Sequence, residues 1–453
     1  MSNDRKDSNE KQPEEVPSGH AARIGRLGAL GAKIGGRFVT SAMSRLFSSK
    51  EKAEQEREDN HTRIAENIVN TLGEMKGLAM KVGQLLSYVD GTVPPEYQGI
   101  YRMALSKLQS KAPPLAYTKV REQIAQELGD YPENLFDNFE ETPFAAASIG
   151  QVHKARFKGQ DVAVKVQYPG IDKAIETELK DAQLIEKAFS PISKRFNAKA
   201  TLGEIQSRVT EELDYLHEAE IQAHFAKKFA YWDEVVIPQV YQERSSKRIL
   251  TSQFIKGKSF QEMAEHASQE EKNRIGSTLY RFVFEGFYRF RIFNGDPHPG
   301  NYLFLPDGKI AFLDYGCAVT LTHEDVALFK QMHLANYEND VSRATEVMVQ
   351  LLEVDRTKKA HVETVKEYAE YLLQPYAKDE PFHYNSEYAR GTVTKAANLF
   401  RKTFVSTGSV PTTPARFTFL NRLQWGFVSV LALLDARVHC HQLLRDIFAQ
   451  PAE

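Results

Sequence analysis

Four polar residues of this chain, carried by three short motifs, have the types and spacing that phosphate chemistry needs. Lys165 ends an apolar segment, Asp296 and Asn301 open and close the sequence Asp-Pro-His-Pro-Gly-Asn, and Asp314 begins Asp-Tyr-Gly. A lysine at a strand can neutralise phosphate oxygens as a compact positive charge. Asp296 can orient a nucleophile or accept its proton, and Asn301 and Asp314 offer the oxygen ligands that Mg²⁺ prefers. The motifs therefore predict one phosphoryl-transfer centre that binds ATP (or ADP) together with Mg²⁺.

The order and spacing of these residues match the working parts of a protein kinase. Asn301 follows Asp296 by five residues, as in the kinase catalytic loop. Two strand-like apolar segments lie between Asn301 and Asp314, separated by the turn signal Pro-Asp-Gly at 306–308. This pattern predicts a hairpin that brings Asn301 and Asp314 together. Each motif is weak by itself, because each also occurs in ordinary strands and turns, but the joint match predicts a kinase-like fold.

The composition of the chain limits the class of protein, its partners and its cellular compartment. The chain has 453 residues, 42% of them apolar and 26% charged, which is typical of a globular protein of two or three domains. A net charge of −2 argues against a nucleic-acid partner. The two cysteines, Cys317 and Cys440, indicate a reducing compartment rather than a disulfide framework. The sequence contains no apolar run of the roughly 18–20 residues that a membrane span needs, and its polar start is no secretory signal. We therefore expect a cytoplasmic protein without a transmembrane segment.

The first part of the chain predicts an arm and a helical extension. Residues 1–60 are expected to be a disordered start followed by a basic amphipathic arm, because residues 23–50 hold six basic residues and no acidic one. Apolar residues recur there at helical spacing, which is typical of a helix on an anionic membrane surface. The alternative is an arm that packs on the protein's own body or on a partner. Residues 61–116 then predict a helical extension that carries Lys81, Gly83 and Gln84.

The rest of the chain predicts an α+β fold of two lobes. Residues 117–255 are expected to form a small β-rich lobe, and residues 256–453 a mostly helical lobe. The elements predicted in the small lobe are strands near 144–153, 161–167, 235–240 and 248–254 and helices near 171–190 and 202–230. The chemistry is expected at the junction of the lobes, where Lys256-Gly257 gives a plausible hinge.

Two features depart from an ordinary protein kinase. The position of the glycine-rich phosphate loop is occupied by Ala145, Ala146, Ala147 and Ser148. Alanine disfavours positive φ, so we expect a stiffer loop whose amides still face the phosphates. In addition, Gly316 is not followed by an Ala-Pro-Glu signature, and residues 320–325 lead at once into a helix. A short or missing peptide-docking segment argues against a protein substrate.

An acidic partner for Lys165 is expected in the segment 211–220. Asp214 and Glu218 are four residues apart and share one face of the predicted helix, although a solvated acidic face is the alternative.

Together these motifs resemble the UbiB (AarF-type, Coq8-like) atypical kinase-like family. The resemblance rests on Lys-x-Gly-Gln at 81–84, Ala-Ala-Ala-Ser-Ile-Gly-Gln-Val-His at 145–153, Glu-x-Asp at 212–214 and Asp-Pro-His-Pro-Gly-Asn at 296–301. It extends from about Glu66 to at least Thr320, over half of the chain.

The resemblance implies further roles. It implies that the helix with Lys81 and Gln84 folds over the nucleotide site and contacts Glu212 and Asp214, and that Lys165 pairs with Glu218. It also implies an ATPase activity stimulated by membrane lipid, and a lipid or quinone-precursor ligand. Two residues depart from the family pattern, since Asn294 stands where many relatives have His and Gln253 occupies a hinge position that is often acidic.

Three hypotheses follow. The leading one is an atypical Mg²⁺- and ATP-binding enzyme that acts as an ATPase or as a small-molecule or lipid-linked kinase, with Asp296 and Lys165 as catalytic residues. The second is a nucleotide-sensing module or chaperone with little catalysis, which would not need Asp296. The third is a phosphotransferase similar to aminoglycoside or choline kinases, whose open acceptor pocket the Lys81 helix would obstruct.

Overall fold

The computed structural model describes residues 115–147, 149–173, 175–176, 212–338, 340–400, 402–403 and 422–451, together with 62, 63 and 66. The predicted arm at 23–50, the motif of Lys81, Gly83 and Gln84, and Ser148 lie outside the described residues. Among the described residues, helices are all too short or too polar to cross a membrane.

Among the described residues, strands and helices alternate from Tyr117 to Thr320, and the elements after Thr320 are mostly helices. The helices are α1 (Tyr117–Leu128), α2 (Pro132–Leu135), α3 (Tyr215–Lys228), α4 (Phe260–His266), α5 (Gln269–Glu285), α6 (His323–Tyr337), α7 (Val341–Leu351), α8 (Lys359–Leu372), α9 (Ser386–Phe400), α10 (Val428–Leu433) and α11 (Cys440–Phe448). The strands are β1 (Asn138–Phe139), β2 (Ala145–Ala147), β3 (Gly150–Phe157), β4 (Gln160–Gln167), β5 (Val235–Val236), β6 (Ile249–Gln253), β7 (Lys258–Ser259), β8 (Ile292–Asn294), β9 (Tyr302–Phe304), β10 (Ile310–Phe312), β11 (Ala318–Thr320), β12 (Phe382–His383) and β13 (Arg437–Val438). Short 3₁₀ turns lie at Gln242–Arg244, Pro299–Asn301 and Gln374–Tyr376, and π-helical turns at Gly286–Phe290 and Arg422–Phe427.

The small lobe is a five-stranded antiparallel sheet in which β4 is central. The strands run in the order β1-β3-β4-β6, and β2 also pairs with β3. Successive side chains of a strand face opposite sides, so Val162, Val164 and Val166 are buried under α1 while Lys165 faces the other side. The hairpin of β3 and β4 turns at Lys158 and Gly159, which both have positive φ.

Three predicted elements of the small lobe differ from the structure. The strand expected near 144–153 is two antiparallel strands, β2 and β3. The strand expected at 235–240 is only β5 (Val235–Val236), because Pro238 has no backbone N–H to donate to a ladder. The helix expected to run through 212–214 is interrupted, and α3 begins at Tyr215. Asp214 has extended backbone, and its side chain accepts from the backbone N–H groups of Leu216 and His217 as the N-cap.

A second sheet, of four strands in the order β5-β10-β9-β7, holds the predicted hairpin. Strands β9 and β10 pair antiparallel, with Tyr302 opposite Phe312 and Phe304 opposite Ile310. The backbone N–H of Leu313 also donates to the carbonyl of Asn301 at 3.0 Å. Asn301 and Asp314 therefore lie at adjacent strand ends, which confirms the predicted hairpin.

The helical lobe has an aromatic core that extends under this hairpin. Phe282 of α5 stacks on Phe312 of β10 with ring centroids 3.8 Å apart. Helix α6 begins at His323 with a reciprocal capping box between Thr322 and Asp325. Only residues 317–322 separate the Asp-Tyr-Gly motif from α6, and three of them form β11, which pairs with β8. The short segment after Gly316 is therefore confirmed, and the α+β fold has two kinase-like lobes.

Candidate active site

Lys165 and Glu218 form the charged centre of the site. The Lys165 ammonium nitrogen lies 3.0 Å from both carboxylate oxygens of Glu218, whose side chain is only 4% exposed. The two residues are brought together because β4 presents Lys165 on its inner face and the Asp214 cap starts α3 just before Glu218. The predicted pair is present, and Asp214 supports it as a helix cap.

Tyr215 is a part of the site that the sequence did not indicate. Its side chain is buried, and the Lys165 ammonium nitrogen lies 4.8 Å from the centre of its ring. An ammonium over an aromatic face is stabilised by the ring quadrupole. The ring therefore gives Lys165 an apolar wall, so that the ammonium faces Glu218 and Asp314 rather than water.

Asp314 completes the charged cluster from the helical lobe. One of its carboxylate oxygens lies 3.6 Å from the Lys165 ammonium, and the other accepts from the backbone N–H of Gly316 at 3.0 Å. The Asp314 side chain is 37% exposed, so it remains accessible from the junction between the lobes. One lysine thus contacts two acids that come from different lobes.

The pKa values of this cluster reflect burial and mutual charge. Burial raises the pKa of Glu218 to about 7, although Lys165 opposes the effect. Burial also disfavours the Lys165 ammonium, but the charges of Asp314 and Glu218 outweigh it and raise the Lys165 pKa well above its usual value. Lys165 is therefore charged at neutral pH.

Asp296 and Asn301 belong to the loop 296–301, called here the Asp296 loop. The side-chain amide nitrogen of Asn301 donates to the backbone carbonyl of Asp296 at 3.0 Å and to its carboxylate at 3.1 Å. This holds the Asp296 carboxylate in one orientation. It also assigns the amide oxygen of Asn301 as the atom available for a metal ion.

The donor set fits Mg²⁺ bound together with phosphate. Asn301 and Asp314 offer oxygen atoms from adjacent strand ends, and Mg²⁺ is usually held by one or two protein oxygens, substrate phosphates and water. In the described part of the chain, clusters of three or more His, Cys, Asp or Glu side chains suited to a metal are absent.

These observations agree with comparisons to known proteins. Residues 107–348 match the ABC1 atypical kinase-like domain, which is more than half of the chain. The chain belongs to the ABC1 atypical kinase-like family. This confirms the resemblance to UbiB and Coq8-like proteins, and it confirms a kinase-type enzyme.

Relatives and a solved structure give the extent of the similarity. The chain is 28% identical to "Atypical kinase COQ8, mitochondrial" from Saccharomyces cerevisiae, over 96% of the chain and 86% of that protein. It is 32% identical to "AarF domain-containing protein kinase 1" from Mus musculus, over 67% of the chain and 58% of that protein. The structure described as "The complex structure of Rv3197-erythromycin from Mycobacterium tuberculosis" has a TM-score of 0.63 and 29% identity, and covers 89% of this chain and 100% of that chain.

In the ABC1 domain the alanine-rich segment is a strand rather than a loop. Ala145 pairs with Val152, Ala146 with Gln151 and Ala147 with Gly150. Gly150 is the first residue of β3, and an added Cβ there would lie 2.2 Å from the carbonyl oxygen of Val166 in β4, so only glycine fits at this close approach. The stiff backbone expected from the alanines is consistent with this pairing.

His298 of the ABC1 domain has a structural contact. Its side chain is exposed, and its Nδ1 accepts from the backbone N–H of Gly300 at 3.0 Å. The contact favours a role in shaping the Asp296 loop.

Glu212 lies beside the charged cluster and next to the segment after Asp314. It is 8% exposed, and the Cys317 thiol donates to its carboxylate at 3.6 Å. The contacts predicted from Lys81 and Gln84 to Glu212 and Asp214 involve positions outside the described residues, so they stay predictions.

The sequence did not indicate a contact between the Asp296 loop and residues 422–427. In the π-helical turn Arg422–Phe427, Gly426 lies so close to the Asp296 loop that an added Cβ would be 2.4 Å from Cγ of Pro297. The only sequence signal is a single glycine among apolar residues. Gly426 therefore packs against Pro297 of the Asp296 loop.

Proposed function

We propose that this protein binds Mg²⁺-ATP and transfers its terminal phosphoryl group to water or to a small-molecule or lipid-linked acceptor. One observation carries the proposal: the Lys165 ammonium contacts Glu218 of the small lobe and Asp314 of the helical lobe at once. In kinase-type sites this arrangement holds phosphate between the lobes.

The proposed roles follow from charge and position. Lys165 neutralises phosphate oxygens, and Glu218 holds its ammonium in place. Ala145, Ala146, Ala147 and Ser148 cover the phosphates from the small lobe. Asp296, oriented by the amide of Asn301, positions the attacking water or hydroxyl group and accepts its proton.

The metal is proposed to be Mg²⁺, with Asn301 and Asp314 as its protein ligands. When bound, it would offset negative charge that develops on the transferred group. Asp314 also contacts Lys165. The proposed metal ligand and the proposed phosphate-binding residue are therefore neighbours in one cluster.

Gating and membrane contact are proposed for the N-terminal segments. Lys81, Gly83 and Gln84 would regulate access to the nucleotide through Glu212 and Asp214, and the basic residues at 23–50 would contact an anionic membrane surface. The similarity to COQ8 supports a lipid or quinone-precursor ligand by analogy only. The short segment between Gly316 and α6 supports a small acceptor over a protein acceptor.

The test is phosphate release from Mg²⁺-ATP by the full chain, with and without anionic liposomes, beside Asp314→Asn. The variant removes the charge but keeps the shape, so turnover should fall at least about 100-fold. Asp307→Asn is the matched control, because Asp307 is an exposed acid at the other end of the same hairpin. Wild-type turnover in Asp314→Asn would refute the proposal.

One other outcome would favour a different function. If the wild-type chain releases no phosphate under either condition while ATP still raises the melting temperature, the nucleotide-sensing module becomes the better explanation.

A further inference from the structure

Asn294 connects the two acids on which the proposed chemistry depends. It is the last residue of β8, and its amide nitrogen lies 2.5 Å from the backbone carbonyl oxygen of Asp314, to which it donates. Its amide oxygen accepts from the backbone N–H of Asp296 at 3.1 Å. One planar side chain thus joins the residue proposed as base to the residue proposed as metal ligand.

We propose that Asn294 is a positioning residue that fixes the distance between Asp296 and Asp314. The inference rests on the proposed function, because the separation of these two acids matters only if they act on one substrate. Asn294 itself touches neither of the two carboxylates in these hydrogen bonds, so its role is to hold backbone and not to react.

The chemistry of the side chain explains why asparagine serves here. The bridge needs a donor toward the Asp314 carbonyl and an acceptor toward the Asp296 N–H, and an amide supplies both in one rigid plane. An ionised aspartate has the same shape but only accepts, so it would face the Asp314 carbonyl oxygen with a negative oxygen. Leucine has a similar shape and can do neither. Both substitutions would therefore break the link to Asp314.

The backbone around Asn294 is held independently of its side chain. Strands β8 and β11 pair with Asn294 opposite Ala318, and the backbone N–H of Gly295 donates to the carbonyl of Cys317 at 3.1 Å. These bonds keep the two segments together when the side chain is changed. The Asn294 side chain additionally fixes the Asp296 N–H and the Asp314 carbonyl, which lie next to the two carboxylates.

Asp296 is held on its other side by different groups. Its carbonyl accepts from the Asn301 amide at 3.0 Å and from the backbone N–H of His298 at 2.8 Å. Asn294 holds the remaining N–H, so the peptide groups on both sides of Asp296 are fixed. Loss of Asn294 would leave these bonds in place but would remove the link that its side chain makes between the Asp296 N–H and the Asp314 carbonyl.

The experiment measures kcat, KM for Mg²⁺-ATP, the Mg²⁺ midpoint and thermal unfolding for the full chain and for Asn294→Asp and Asn294→Leu. A shift of the Asp296 loop by a fraction of an ångström to 1 Å should lower kcat roughly 10- to 100-fold. KM should stay within about threefold, because Lys165 and Glu218 are untouched. Asn273→Asp is the matched control, since Asn273 is a similar amide that accepts from the backbone N–H of Arg437.

The outcomes separate this inference from the proposed function. If Asp314→Asn is inactive while both Asn294 variants keep kcat within threefold of the wild type, the inference fails and the proposed function stands. If Asp314→Asn also keeps wild-type turnover, both fail. If both Asn294 variants only lower the melting temperature, or unfold, the residue is structural and the inference is overturned.

Discussion

The contact between Gly426 and Pro297 predicts how the end of the chain affects the Asp296 loop. The change to make is Gly426→Ala, which adds one methyl group. Its Cβ would lie 2.4 Å from Cγ and 3.3 Å from Cδ of Pro297, whereas carbon atoms in contact are about 3.5 Å apart. The two segments must therefore separate by about 1 Å.

The proline transmits this shift to the loop. Its ring is rigid and fixes φ, so it cannot rotate away as a flexible side chain would. Asp296 is the preceding residue, and a misplacement of about 1 Å of a group near the chemistry costs about 100-fold in rate. This corresponds to about 2.7 kcal/mol of lost transition-state stabilisation. We expect a kcat about 100-fold lower with ATP binding retained.

The assay is Mg²⁺-ATP turnover combined with the shift of the melting temperature by ATP. The matched control is Gly276→Ala, whose Cβ would lie 2.7 Å from Cβ of Ala436 and 3.1 Å from Val438, away from the loop. Overpacking of this kind costs about 1–3 kcal/mol of stability in either variant. The reasoning is wrong if Gly426→Ala keeps kcat within threefold of the wild type, or if both variants lose turnover equally.

Two further predictions concern stability. Glu285 is fully buried and pairs with Arg281 at 2.6 Å and with Arg289 at 2.9 Å. Glu285→Gln should therefore lower the free energy of unfolding by about 3–5 kcal/mol in urea titrations. The control is Glu243→Gln, which changes an exposed pair with Lys158 and should leave the free energy of unfolding nearly unchanged. Equal effects would contradict the first prediction. Burial lowers the pKa of His333 to about 4, so the unfolded chain binds a proton between pH 6.5 and 4 that the folded chain does not, and stability present above pH 6.5 is lost as the pH falls. Between pH 7 and 5 the wild type should lose about 2 kcal/mol more than His333→Gln, and identical pH profiles would rule this out.

Much of the site was predictable because its parts are local in sequence. The hairpin of β9 and β10 follows from two apolar segments around Pro-Asp-Gly, and it brings Asn301 and Asp314 together without reference to the rest of the chain. The alternation of valines on β4 places Lys165 on the face opposite the core of the small lobe. Fixed spacing within a turn or strand was enough to predict these positions.

The roles of the acids in the segment 211–220 could not be assigned from the sequence, because they depend on contacts with distant segments. Glu218 is 53 residues from Lys165, and the sequence offered several acids near it. The structure distinguishes them, since Asp214 caps α3, Glu218 reaches the lysine, and Glu212 accepts from Cys317. A carboxylate has the same chemistry in all three positions, so only its place in the fold assigns its role.

The sequence by itself determined the family, the two-lobe α+β fold and the residue types of the proposed reaction centre, because these depend on short motifs and on local periodicity. Only the tertiary structure decided how Tyr215, Asn294 and Gly426 take part. Each acts through a contact with a segment distant in the chain or through a side chain of unremarkable type: a ring behind an ammonium, an amide between two peptide groups, and a missing Cβ beside a proline. Such contacts leave no periodic pattern, since they depend on the relative position of packed segments.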